Sequence, residues 1–204
     1  MKVLGWSCSG ICKAATVRAL KVQIKGTSPD VIFLSETKAL ASRMVEVINE
    51  IKFSNLCVVE VKGTTGGICV MWKAGFAIQQ VKYNKNLITV KVSNAYYEWL
   101  LVAFYGPPYP SKKKKAWENL MALLGVYQGP WACIGDFNYI VDDNGTIRGR
   151  RGSNSSATNY LKELIFNFRA IDLGYSGNAF TWAIGKWGSS AIKKRLDRGI
   201  ACIS

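Results

Sequence analysis

Between residues 53 and 104 one strand-length segment follows another, with no helical spacing between them. Residues 53–61, 67–72, 77–81, 87–92 and 97–104 are rich in Val, Ile and aromatic side chains. Gly63, Gly66-Gly67 and Asn84 to Asn86 punctuate them as turns. Strands joined by short turns, without a crossover element, pair antiparallel. The preceding segment follows another pattern. Residues 2–6 read as a strand and residues 16–25 as a helix with Val17, Leu20 and Ile24 on one face, closed by Gly26. A buried strand at 31–34 and a second amphipathic helix at 39–51, with Met44, Val47 and Ile48 inward, follow. Strand–helix units joined to a meander predict an α/β sandwich of two packed sheets rather than a doubly wound parallel sheet.

The second half continues the alternation. Ser111 is placed to cap a helix whose buried stripe is Trp117, Leu120, Leu123 and Leu124. Residues 157–170 form another helix with Tyr160, Leu161, Leu164, Ile165 and Phe168 inward. Residues 179–182 read as a short strand and 192–203 as one strand still running at the last residues. With no internal repeat and no linker, the 204 residues are expected to form a single domain.

Polar residues gather where these strands end. Pro130-Trp131-Ala132-Cys133-Ile134 is an apolar run suited to a strand buried on both faces, and Gly135-Asp136-Phe137-Asn138 follows it. Spaced two apart, Asp136 and Asn138 leave an extended backbone on one side while Phe137 turns to the core. That spacing suits a polar site at a strand's C-terminal edge, and it equally suits a turn. Glu36 stands directly after the strand at 31–34, as a second strand-end carboxylate or as the acid of a helix N-terminus. Phe104-Tyr105-Gly106-Pro107-Pro108-Tyr109-Pro110 reads as a rigid exit loop that exposes Tyr105 and Tyr109.

Charge narrows the partners. The chain carries 27 Lys+Arg against 13 Asp+Glu, a net +14. A surface this basic attracts polyanions, of which nucleic acid is the commonest. Lys112, Lys113, Lys114 and Lys115 fall in a helix's first turn, where the helix dipole disfavours cations. Phosphate contact, a solvated face and a nuclear-import signal are the readings of that run. Arg148, Arg150 and Arg151 lie in a polar, glycine-rich stretch, which reads as a mobile loop along a nucleic-acid backbone or a solvated one. Six cysteines without a C-x-x-C pair, and no histidine, argue against a zinc site. The apolar positions of most of them suit buried thiols in a reducing compartment. No signal peptide or membrane-length apolar run is read, so nucleus or cytoplasm is the expected location, with no membrane partner.

Trp6-Ser7, Ser35-Glu36-Thr37-Lys38, Gly66-Gly67, Tyr105-Gly106-Pro107-Pro108, Gly135-Asp136-Phe137-Asn138, Phe180-Thr181-Trp182 and Arg195-Leu196-Asp197-Arg198 follow one another in a familiar order. In these stretches the chain resembles the endonuclease/exonuclease/phosphatase superfamily, the DNase I-like proteins. It is most similar to the endonuclease domain of plant LINE-type non-LTR retrotransposons. The resemblance implies a four-layered α/β sandwich and Mg²⁺-dependent hydrolysis of a phosphodiester in double-stranded DNA, with Mn²⁺ as an alternative ion. It implies that Glu36 holds the metal, Asp136 orients or deprotonates the attacking water, and Asn138 and Tyr105 bond the phosphate. Thr181 would lie near the DNA backbone, and Asp197 would be the carboxylate that supports the family's catalytic histidine.

Two departures accompany it. Ser7 stands where the family has an asparagine at the metal site. The chain is also expected to stop before the family's final Ser-Asp-His strand, leaving residues 192–203 as an unpaired apolar edge. The expectation is a truncated copy of a nicking endonuclease with weak or no activity. The alternatives are a catalytically dead nucleic-acid-binding relic and a phosphoinositide or nucleotide phosphatase.

Overall fold

The computed structural model describes residues 1–61, 63, 65–140, 146–147, 159–175, 179–184 and 192–202. Strand β1 (Val3–Ser7) pairs parallel with β2 (Val31–Ser35), and α1 (Ala14–Thr27) supplies the crossover that a parallel pair needs. After α2 (Ala41–Ile51), β3 (Asn55–Val59) and β4 (Ile68–Trp72) form a hairpin. Strand β4 lies antiparallel to β2, giving a four-stranded sheet in the order β1-β2-β4-β3. β2 and β4 are buried at every residue, as continuous apolar runs require.

The chain then crosses to a second sheet. β5 (Ala77–Asn84), β6 (Leu87–Ser93) and β7 (Glu98–Tyr105) make an antiparallel meander. β8 (Trp131–Asp136) returns parallel to β7 after α3 (Pro110–Val126). A two-residue strand β9 (Thr146–Ile147) and helix α4 (Tyr160–Asn167) precede β10 (Ala170–Asp172). β11 (Trp182–Ile184) and β12 (Ile192–Lys194) join β9 in a small three-stranded sheet. β13 (Asp197–Cys202) inserts between β8 and β10, so the larger sheet has the order β10-β13-β8-β7-β6-β5.

Three apolar clusters define the layers. Val31, Phe33, Val70 and Trp72 of the first sheet meet Ile88, Val90, Leu101 and Ala103 of the second, so the two sheets pack face to face. Val17 and Leu20 of α1, with Met44, Val47 and Ile48 of α2, cover the outer face of the first sheet. Trp117, Leu120 and Leu124 of α3, with Leu161 and Leu164 of α4, cover the outer face of the second. Helices, sheet, sheet, helices: this is the α/β sandwich of two mixed sheets.

Several local readings change. The meander is divided, with β3 and β4 in one sheet and β5 to β7 in the other. α3 begins with Pro110 as its first residue and Tyr109 as its cap, so Ser111 lies inside the helix. α1 runs past Gly26 to Thr27, and Ser28 closes it in the left-handed conformation (φ 48°). α4 starts from Asn159, whose side chain accepts the Lys162 N–H, and Ala170 already belongs to β10. The expected single strand at 192–203 is two strands, β12 and β13, in different sheets. The chain turns between them where the Thr181 hydroxyl accepts the N–H groups of Leu196 and Asp197. Its second part is not a bare edge, because β8 and β10 flank β13.

Candidate active site

Parallel pairing makes neighbouring strands end at one rim, and here two parallel pairs do so together. β1 and β2 finish at Ser7 and Ser35, while β7 and β8 finish at Tyr105 and Asp136, which face each other in register. The loops leaving these ends enclose a cleft of about 530 Å³ lined by Ser7, Glu36, Tyr105, Asp136 and Asn138, among others. Five residues expected at the site from sequence therefore share one cavity.

Glu36 is held by its neighbours on both sides. The Gly10 N–H donates to the Glu36 carbonyl at 2.8 Å, and the N–H groups of Thr37 and Lys38 donate to the carbonyls of Gly67 and Gly66 at 3.1 and 3.0 Å. Glu36 and Lys38 sit in the left-handed region (φ 55° and 50°), a conformation that a non-glycine residue keeps only when its surroundings impose it. At Gly67 a Cβ would lie 2.4 Å from Thr37 Oγ1, so only glycine lets the two loops close together. The helix-terminus reading of Glu36 fails, because α2 starts at Ala41. The Glu36 carboxylate instead accepts the Tyr105 hydroxyl proton and pairs with Lys38 Nζ at 3.4 Å.

At the end of β8 the turn and the site are the same object. The Asn138 N–H donates to Asp136 Oδ1 at 2.9 Å, an Asx-turn, and Asn138 takes φ 48°. Phe137 is fully buried beneath it, packed on Trp117 and Phe104. Gly135 permits the approach, since a Cβ there would lie 2.0 Å from the Phe104 carbonyl oxygen. Asn138 Nδ2 donates one proton to the Gly106 carbonyl at 2.7 Å and keeps a second N–H on the same nitrogen.

Electrostatics sets Asp136 apart. It is 8% exposed, and burial pushes its pKa from 3.8 up to about 7. The charge of Asp197, its register partner on β13, adds to the rise, and the Asn138 N–H opposes it. Asp197 lies beside the main cleft in a smaller hollow with Gly5, Ile134, Gly135 and Arg198. Burial raises its pKa too, against the Thr181 hydroxyl bond. Thr181 is exposed, and its oxygen is engaged by the backbone ahead of β13.

The exit loop was misjudged in one respect. Tyr109 is exposed as expected, whereas Tyr105 is 8% exposed, its ring packed between the sheets so that only the hydroxyl reaches the cleft. Burial and the Glu36 carboxylate hold its proton firmly. A phenol has one proton, and here it is donated to Glu36.

The lysine run divides by position. Lys112 lines the cleft. Lys113 donates to the Asn138 carbonyl at 2.7 Å and lies over the Tyr139 ring, with its pKa lowered by burial. Lys114 reaches Glu118 at 3.9 Å, and Lys115 is exposed. Arg148, Arg150 and Arg151 lie outside the described residues. Ser9, Glu60, Lys85, Asn86 and Trp182 also line the cleft and were not foreseen. Only the Asn84–Asn86 turn hinted at Lys85.

Among the described residues no group of three or more His, Cys, Asp or Glu side chains converges on one point. The cleft offers hard oxygen donors, with Glu36 foremost, and no cage. Such a set fits Mg²⁺, which keeps several waters and takes further ligands from a substrate phosphate. Ser7 lines the same wall but presents a hydroxyl in place of an amide. Chemically, the cleft combines an anion for a cation, a carboxyl group poised near neutrality, an amide donor and a lysine.

Comparison with known proteins places this arrangement. The model of a family described as the Endonuclease/Exonuclease/phosphatase family matches residues 7–198. No curated protein sequence matches the chain. Among solved structures, the 3′ phosphatase NExo from Neisseria bound to a product DNA hairpin is similar at TM-score 0.75 and 14% identity, covering 100% of this chain and 87% of that one. The endonuclease domain of TRAS1, a telomere-specific non-LTR retrotransposon, is similar at TM-score 0.67 and 14% identity, covering 99% and 85%. The AP endonuclease LMAP from Leishmania major gives TM-score 0.72 and 13% identity, covering 99% and 79%. At these identities the likeness is one of fold.

Proposed function

The chain belongs to the endonuclease/exonuclease/phosphatase family, and we propose that it hydrolyses a phosphodiester bond in double-stranded DNA as a slow nicking endonuclease of the non-LTR retrotransposon kind. One observation carries the reading: Glu36, Tyr105, Asp136 and Asn138, from three separate stretches of chain, meet in one cleft. The motifs around them point to the plant LINE branch, and the fold shared with the TRAS1 domain supports the retrotransposon assignment.

Glu36, with Ser7 beside it, would hold Mg²⁺ or Mn²⁺, which when bound neutralises charge on the scissile phosphate and the leaving oxygen. Asp136, with a pKa near 7, is ionised in a large share of molecules at neutral pH and can take a proton from an attacking water. The water oxygen bonds to phosphorus, the bond to one sugar oxygen breaks, and that oxygen leaves with a proton from solvent. The remaining N–H of Asn138 donates to a non-bridging phosphate oxygen. Lys112 adds positive charge at the rim. Residues 1–204 contain no histidine, so within them the acid–base work falls to carboxylates.

The test is cleavage of an end-labelled DNA duplex in Mg²⁺ and in EDTA, beside Asp136→Ala. Slow internal cuts in Mg²⁺ alone, lost in the variant, are expected. Release of inorganic phosphate from a monoester without internal cuts would move the assignment to a phosphatase. The net charge of +14 favours a second reading, a binding domain without chemistry. Salt-sensitive DNA binding with no cleavage by folded protein would select it.

A further inference from the structure

The turn between β5 and β6 reaches the cleft through Lys85, and its construction is more elaborate than a solvent-facing turn needs. Asn84 Oδ1 accepts the N–H groups of Asn86 at 2.8 Å and Leu87 at 3.1 Å, which fixes the turn. Asn86 is buried. Its Nδ2 donates to the Tyr105 carbonyl at 2.9 Å, and its own carbonyl accepts the Tyr105 N–H at 2.7 Å. The turn is thereby fastened to the peptide that delivers the Tyr105 hydroxyl to Glu36. Lys85 lies one residue from this double bond and lines the same cleft as Glu36, Asp136 and Lys112.

Among the described residues neither Lys85 nor Lys112 forms an ion pair. Glu60, the other carboxylate on the cleft wall, is engaged at 2.7 Å by the N–H of Ala41. Lys112 Nζ lies 5.3 Å from the centroid of the Tyr109 ring, so two lysines from different elements, neither in an ion pair, line the cleft that carries the reacting groups. A phosphate monoester or a mononucleotide needs no second cation remote from the reacting centre. A polynucleotide does, because a charged phosphate flanks every scissile one.

Resting on the nuclease reading, we propose that Lys85 contacts a backbone phosphate flanking the scissile one and that Asn86 is the positioning residue that sets its place. The substrate is then a strand with phosphates beyond the bond that is cut. Lys85, carried on a different turn from the reacting groups, distinguishes a polynucleotide from a small phosphate ester.

The test is binding of a labelled DNA duplex in EDTA, where nothing is cut, measured by fluorescence anisotropy over a range of salt concentrations. The expected result for Lys85→Ala is affinity several-fold weaker on every sequence tried, with the slope of log affinity against log salt reduced by about 0.9, one phosphate contact. Lys85→Arg should keep the wild-type slope, and Asn86→Ala should lose part of it although the lysine remains. If Asn86→Ala does not fold, the Lys85 pair alone decides. An unchanged slope in Lys85→Ala, with wild-type binding intact, overturns this proposal and leaves the nuclease reading standing. Absence of salt-sensitive binding by the wild-type protein also overturns this proposal, while the nuclease reading is decided separately by the cleavage of the duplex in Mg²⁺.

Discussion

The buried Asp136 costs the folded protein stability once it is ionised. Between pH 3.8 and about 7 the folded chain keeps a proton on this carboxyl that the unfolded chain has already lost. Its contribution is therefore fully present below about pH 4, declines as pH rises through 7, and is flat above. Asp136→Asn keeps an Oδ1 to accept the Asn138 N–H but cannot ionise. In urea unfolding without metal, its stability relative to wild type should grow by about 2–3 kcal/mol from pH 5 to pH 8. A difference that is equal at both pH values would count against the buried-carboxyl account. Tyr105→Phe removes the hydroxyl proton that Glu36 accepts. It should lower stability by about 1–2 kcal/mol in the same measurement; no loss would mean that Lys38 and water already satisfy Glu36. Glu36, Asp136 and Asn138 were legible as polar residues directly after apolar strands, but a turn or a helix N-terminus suited them as well, and only the family resemblance gave them roles. The burial of Tyr105 was not legible, since Pro107 and Pro108 report backbone stiffness and not where a ring packs. Lys85 was hidden for another reason: from sequence, a lysine in a turn looks like any solvated lysine.

At the scale of elements, α3 supports the site from behind. Trp117 is fully buried and touches Phe104, Phe137, Tyr139 and Tyr160, so one side chain joins α3 to β7, to the Asp136–Asn138 turn and to α4. Trp117→Ala should cost about 3–5 kcal/mol in chemical denaturation. A cost below about 1 kcal/mol would show that the aromatic cluster is not what holds the turn. Strand and helix identities were largely readable, because periods of 2 and 3.6 report which face is buried. Membership of a sheet was not. β4 is a continuous apolar run and β5 a largely exposed strand carrying Gln79, Gln80 and Lys82, yet nothing local marks the passage from one sheet to the other. The run from Ile192 read as one strand because no proline interrupts it, with Ile192, Leu196 and Ile200 among its apolar positions. Its break depends on the Thr181 hydroxyl, fifteen residues before Leu196, which no local pattern contains.

The whole molecule brings two features together: a strongly basic chain and a cleft with acidic groups on its floor. The net charge of +14 draws a polyanion to the surface, and it does so regardless of sequence. Among the described residues no helix is long and apolar enough to cross a membrane. On the proposed reading, selection of the bond to be cut falls to the cleft, where Asp136 would have to be ionised to accept a proton. The measurement that bears most directly on this account is the single-turnover nicking rate of supercoiled plasmid in Mg²⁺ across pH 5 to 9, for wild type and Asp136→Asn. The wild-type rate should climb with pH and level off at or below about 7, since a cation bound in the cleft favours the ionised form of Asp136. The variant should be slower by about 10²–10⁴ and lose that inflection. Equal rates and equal profiles for the two proteins would contradict the account, since the group at its centre would then take no part in the reaction.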